Sequence, residues 1–140
     1  MRVKIESAMM NLTPSFTEVS HNVEVEVRPL YLEDKSNPVE RKHVFVYFIT
    51  IRNRGEGSLQ LLKRHWLIQD SIGQTYEVDG DGVVGKRPII EPGTSFEYNS
   101  SCVLKSYSGV MEGYYVMEHE EYGTIKVNIP RFALRAHRLN

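Results

Sequence analysis

"HVFVYFITIRN", residues 43–53, is apolar on both faces and dense in β-branched and aromatic side chains. That pattern reads as a central β-strand covered on two sides. The neighbouring segments keep the same period of two. In "HNVEVEVRPLY" Val23, Val25 and Val27 share one face, while Glu24, Glu26 and Arg28 share the other. "SLQLLKRHWLIQDS" gives a further strand, or two separated by a kink, and "QTYEV" follows a turn at Ile72-Gly73. "TSFEYNSSCVL" alternates Phe96, Tyr98, Ser100, Cys102 and Leu104 against more polar residues. "MEGYYVMEHEEYG" carries Tyr115 and Met117 with Val116 opposite, and "TIKVNIP" sets Ile125, Val127 and Ile129 against Lys126 and Asn128.

Turn signals separate these runs, at Asn53-Arg54-Gly55, Glu91-Pro92-Gly93, Ser108-Gly109 and Tyr122-Gly123. No long window carries a capped apolar stripe at helical spacing. The expectation is an all-β chain, an antiparallel β-sandwich of about seven to eight strands. Residues 21–135 form the sandwich domain. Residues 1–20 read as an N-terminal extension or an edge strand, and 136–140 as a basic C-terminal tail.

Composition narrows the function classes. The 140 residues are 41% hydrophobic and 25% charged, ordinary for a soluble globular domain. Lys and Arg number 17 against 18 Asp and Glu, for a net charge of -1. No global field favours nucleic acid or an anionic membrane. Aromatics such as Tyr47 and Tyr98 alternate as core residues do, which argues against stacking platforms for nucleic acid. Cys102 is the one cysteine, expected as a buried inert thiol, and its solitude fits a reducing compartment. The N-terminal stretch lacks the apolar run of a secretory signal, and no segment is apolar enough to span a bilayer. The expected location is the cytoplasm.

"VDGDGVVGKRP", residues 78–88, contains Gly80-x-Gly82-x-x-Gly85, the letter pattern of a dinucleotide-binding loop. Such a loop needs a helix N-terminus after it to hold the pyrophosphate. Here Lys86-Arg87-Pro88 leads into "IIEPG", a short strand and turn, and Pro88 biases Arg87 away from helical dihedrals. Asp79 and Asp81 would also repel a phosphate. The Rossmann reading fails, and two others survive. Either the glycines adopt positive φ in a loop with Val83 and Val84 tucked into the core, or their amides form an anion-binding nest helped by Lys86 and Arg87.

"KRHW", residues 63–66, is the other dense polar cluster. Alternation puts Arg64 and Trp66 on one face, Lys63 and His65 on the other. Trp66 then packs in the core with Arg64 paired to a carboxylate at the sheet rim, unless Arg64 joins the glycine loop in an anion site. The histidines make no metal-binding spacing, so no structural metal is expected. Asp70, Asp79 and Asp81 offer at most a weak oxygen-ligand site for Mg²⁺. "HEE", residues 119–121, reads as a solvated charged rim.

Taken together, "RHWLIQD", "VDGDGVVG", "PGTSFEY" and "GVMEGYYVM", followed by "VNIPRFAL", resemble the ApaG domain of bacterial ApaG proteins and some F-box proteins. The likeness runs from about residue 21 to 135. It implies an immunoglobulin- or fibronectin-III-like sandwich. Bacterial members are associated with cobalt and magnesium efflux, and within F-box proteins the domain looks like a partner-recognition module. Binding of phosphate-type anions at the glycine motif has been suggested for the family. This chain departs from the family pattern at Lys86-Arg87, where an acidic or amide pair is usual, and at Ser101-Cys102, where Ser-Gly is usual.

The resulting expectation is a non-enzymatic module, without catalytic residues or cofactor, that recognises a protein partner. Its link to cobalt or magnesium would be indirect, and exposed edge strands make a homodimer feasible. The alternative is a sensor of phosphate, pyrophosphate or nucleotide built from Gly80, Gly82, Gly85, Lys86, Arg87 and Arg64. An enzyme acting on phosphoanhydrides ranks last, because the sequence places no metal or general base for it.

Overall fold

A computed structural model describes residues 14–136. Its elements are β1 (Phe16–Ser20), β2 (Val23–Tyr31), β3 (His43–Asn53), β4 (Leu59–Asp70), β5 (Thr75–Asp81), β6 (Ile89–Ile90), β7 (Ser95–Leu104), β8 (Ser108–His119) and β9 (Gly123–Arg135). Two short 3-10 turns, Glu33–Lys35 and Pro38–Glu40, join β2 to β3. One sheet runs β1-β2-β3-β7 and the other β5-β4-β8-β9, with β6 pairing onto β4. All pairings are antiparallel.

The expected sandwich is therefore present, with more strands than the pattern suggested. The short pieces are the five-residue β1 and the two-residue β6, the latter being the short strand read at the start of "IIEPG". β1 is the edge strand that residues 1–20 allowed for, while residues 1–13 and 137–140 lie outside the described residues.

Alternation becomes a core in the ordinary way. Val23, Val25 and Val27 of β2 and Ile49 and Ile51 of β3 are fully buried, facing Leu59 and Leu61 of β4 and Tyr115 and Met117 of β8. Each large apolar side chain so buried contributes about 1.5–3 kcal/mol. The first half of β3 is buried on both faces, with Val44 and Val46 covered as well as Phe45 and Tyr47.

Two bulges adjust the pattern. In β4 an extra residue at Leu62 shifts the register against β8, so Leu61 and then Arg64 and Trp66 all turn inward. The segment is one continuous strand carrying a bulge, where the sequence left open a kink between two strands. In β9, Pro130 and Arg131 together oppose Glu112, and the bulge houses a proline that could not donate to the ladder.

Buried polar groups tie the loops to this frame. Asn53 donates to the carbonyls of Gly57 and Ile90, each at 2.9 Å, and accepts from the Gly55 amide. Asp70 accepts from the Lys105 amide at 2.7 Å and from the Ser106 hydroxyl at 2.5 Å, joining the β4–β5 turn to the β7–β8 loop. Burial opposes the charge on Asp70 and is the largest single influence. The hydrogen bonds from Ser106, Lys105 and Ile72 outweigh it, and the carboxyl pKa lies below its ordinary value.

A depressed folded pKa gives stability that is present above the unfolded value and lost as pH falls through the folded one. Asp70→Asn is therefore expected to cost about 1–3 kcal/mol at neutral pH. It should also flatten the loss of stability below about pH 4. Urea denaturation of both proteins across that range measures the difference.

Candidate functional site

The bulged strand β4 brings the two sequence clusters together. Arg64 pairs with Gly80 of β5 and Trp66 with Val78. Trp66 is 3% exposed and packs on Tyr47 and Phe132, with ring centroids 5.3 and 6.0 Å away. Arg64 shares that inner face but meets no carboxylate among the described residues. Its Nη1 donates to the backbone carbonyls of Asp81, at 3.1 Å, and Gly82, at 2.9 Å.

The expected rim ion pair is thus replaced by carbonyl capping, and the reason lies across the strand. A Cβ on Gly80 would sit 2.6 Å from the guanidinium. Only glycine leaves room for Arg64 to cross β5 and reach the loop.

The other two glycines have separate reasons. A Cβ on Gly82 would lie 2.1 Å from the Lys86 carbonyl oxygen, and Gly82 has φ +61°. Its amide donates to the Leu62 carbonyl at 2.8 Å. Val83 and Lys86 exchange amide-to-carbonyl bonds of 2.8 and 2.9 Å, closing a two-residue hairpin with Val84 and Gly85 at its tip, both at positive φ. No helix follows. The Gly82 amide is held by β4 and those of Val83 and Lys86 by each other's residues, while the Asp81 and Gly82 carbonyls face Arg64. Arg87 lies 3.5 Å from Asp81, while the exposed Lys86 makes no ion pair among the described residues.

Val83 is fully buried, as one reading of the loop had it, but Val84 is not; it is 51% exposed with φ +44°. A β-branched residue is strained there. Asparagine is the favoured residue at this turn position, so Val84→Asn is expected to raise stability by about 1 kcal/mol. Thermal denaturation measures it, and a lower Tm would contradict the turn geometry.

Beneath the loop lies a layer of tyrosines. The hydroxyls of Tyr98 and Tyr115 share a hydrogen bond of 2.5 Å. Burial raises the pKa of Tyr47, Tyr98 and Tyr115, and the positive charge of Arg64 offsets part of the rise. These phenols stay neutral at physiological pH and pack as polar-tipped core residues. Burial, with a smaller effect from the Asp70 carboxylate, pushes the Cys102 thiol up to about 11, so it is inert as expected.

On the outer face of the same sheet, His65 stacks on Tyr114 and its Nδ1 donates to Asp79 Oδ1 at 2.6 Å. The Lys126 ammonium lies 4.2 Å from the centre of the Tyr114 ring. Asp79 is thereby tied to His65, Asp81 to Arg87 and Asp70 to Ser106. The three carboxylates weighed as a Mg²⁺ site are held apart, each by its own partner.

His119 also differs from the expected solvated rim. It is buried, donates from Nε2 to the Glu56 carbonyl at 2.7 Å, and accepts at Nδ1 from the amides of Glu121 and Tyr122.

The candidate feature that alternation did not reveal is the exposure of strand β5. It is a sheet edge whose side chains are exposed along its whole length apart from the half-buried Gly80. Tyr76 and Val78 point to the same face as Trp66, yet each is 39% exposed because the opposite sheet does not reach over them. Glu77, Asp79 and Asp81 line the other face.

The rest of the surface is more self-contained. On the outer face of the first sheet, Arg52 bridges Glu24, at 2.6 Å, and Glu26, at 2.9 Å. The β1–β9 side is stitched by the Asn128 amide donating to Ser20 Oγ at 3.1 Å and by Phe16 against Phe132.

The architecture is that of a two-sheet antiparallel sandwich with a glycine hairpin capping an internal arginine and an exposed edge at β5. The ApaG domain model matches residues 33–119, and the chain belongs to the ApaG domain family. It is 45% identical to Protein ApaG of Mesorhizobium japonicum over 119 residues, covering 85% of this chain and 92% of that protein. Protein ApaG of Paramagnetospirillum magneticum is 42% identical over the same lengths. Among solved structures, a Bordetella pertussis protein described as ApaA superposes with a TM-score of 0.80 at 38% identity, over 83% of this chain and 94% of that one. The C-terminal domain of wzt shares the fold alone, at a TM-score of 0.52 and 7% identity.

Proposed function

We propose that this ApaG domain is a non-enzymatic recognition module that binds a protein partner, in the cytoplasm, through an exposed sheet edge. The observation that carries this reading is β5, an edge strand whose inward-facing Tyr76 and Val78 are left open by the opposite sheet. Exposed apolar side chains beside unpaired backbone groups are what a partner strand or loop covers. Any influence on cobalt or magnesium efflux then passes through that partner. No helix among the described residues is long and apolar enough to cross a membrane.

The alternative, an anion sensor at Gly80, Gly82 and Gly85, draws support from the exposed Lys86 and from the Val84 and Gly85 amides at the hairpin tip, which no bond among the described residues holds. At Gly82 and Arg64 it would require the existing bonds to open.

One comparison tests the reading. Wild type and a Tyr76→Ser/Val78→Thr variant, matched for fold by circular dichroism, are used to retain partners from extract of the cell that makes the protein. A partner held by wild type and lost by the variant supports recognition at β5. Equal retention by both contradicts it. Calorimetry with pyrophosphate addresses the alternative, using Lys86→Glu as the control because Gly82 tolerates no side chain.

A further inference from the structure

Resting on that reading, we infer the chemistry of the partner: an extended segment with alternating apolar and basic side chains, added to β5 as a further strand. The phase of the β4–β5 ladder sets which backbone groups are free. The Asp70 amide donates to the Gln74 carbonyl and the Gly82 amide to the Leu62 carbonyl, both at 2.8 Å. In an antiparallel pair, bonded and non-bonded positions alternate between such points. Tyr76, Val78 and Gly80 therefore exchange bonds with Ile68, Trp66 and Arg64. Thr75, Glu77 and Asp79 turn their N–H and C=O outward, with no partner among the described residues. The open stretch ends at Asp81, whose outward carbonyl is taken by Arg64.

A strand laid along this edge meets two different rows. On the inner side Tyr76 and Val78 offer apolar surface; on the outer side Glu77 offers a carboxylate unpaired among the described residues, flanked by the exposed carboxylates of Asp79, bonded to His65, and Asp81, beside Arg87. Glu77 makes no ion pair among the described residues and has Glu112 two strands away, across Leu67. The complementary segment carries Val-like side chains toward Tyr76 and Val78, and Lys or Arg toward the acids.

The same acids disfavour a second copy at this edge. Antiparallel pairing of two β5 strands about Val78 would set Glu77 against Asp79 twice over, and like charges directly opposite destabilise a sheet. The β7 edge lacks this complementarity. Its outward positions are Ser95, Glu97, Asn99, Ser101 and Val103, a mostly uncharged row.

The test titrates the full chain with a capped seven-residue peptide alternating valine and lysine, followed by NMR of the backbone amides. Saturable shifts confined to β5 and its neighbours, with new exchange protection at Thr75, Glu77 and Asp79, are expected. A peptide alternating valine and glutamate should not bind.

Two variants sharpen the result. Glu77→Pro removes one outward N–H while leaving every β4 bond in place, and should abolish the shifts. Glu77→Lys, which keeps the backbone donor, should weaken binding about threefold or more. Equal binding of the basic and acidic peptides, unchanged binding to both variants, or no binding at millimolar peptide would each overturn the inference. If the peptide fails while the Tyr76→Ser/Val78→Thr variant still loses a partner, recognition at β5 stands and only the partner chemistry falls. If both fail, the recognition reading falls as well.

Discussion

Trp66→Ala is expected to lower the stability of the folded protein by about 3–5 kcal/mol in urea denaturation. The indole is the centre of an aromatic cluster that spans the two sheets, with Tyr47 on one and Phe132 on the other. Truncation removes nearly all of a buried ring and leaves a cavity between walls fixed by their own ladders, so collapse around it is limited. A loss below about 1 kcal/mol would mean that the ring is not packed between the sheets as described.

Gly113→Ala is the second large effect. Gly113 pairs with Trp66 across the β4–β8 ladder, and a Cβ there would stand 2.0 Å from the His65 carbonyl oxygen. No rotamer relieves a clash between a Cβ and backbone, so the two central strands of the sheet must separate locally. Overpacking of this kind costs about 1–3 kcal/mol and occasionally more. The upper end is expected here, because the obstacle is a paired strand with β9 bonded on the far side. A variant with wild-type Tm would show that β8 does not approach β4 so closely.

Most of the fold was legible because alternation in a two-sheet protein maps directly onto burial. The Val23-Val25-Val27 row and the two-faced "HVFVYFITIRN" landed where period two placed them. The bulges were less visible, since an inserted Leu62 looks like one more apolar residue until the register against β8 is known.

The glycine motif was half legible. The missing helix excluded a dinucleotide loop from sequence alone, but the destinations of the loop's amides depend on strands distant in the chain. Arg64 illustrates the signal available. A glycine directly across a strand pair from a long cation marks a path for the guanidinium, and Gly80 supplies it. Val84 followed a local rule instead: the closing bonds between Val83 and Lys86 place it at the turn tip, where its apolar character does not bury it. His119 was misread because its neighbours are acidic, whereas its decisive partner is the Glu56 carbonyl, far away in sequence.

The open edge at β5 could not be read from residues 75–81 at all. "TYEVDGD" alternates like any half-buried strand, and its exposure arises because the opposing sheet ends short of it. That uncovered edge is the centre of the functional account.

Amide hydrogen exchange of the free protein, resolved residue by residue, tests it most directly. The expected result is an alternating pattern along β5: fast exchange at Thr75, Glu77 and Asp79, slow exchange at Tyr76, Val78 and Gly80. Uniform protection across the strand would show the edge already covered, and would contradict the assignment of β5 as the surface awaiting a partner.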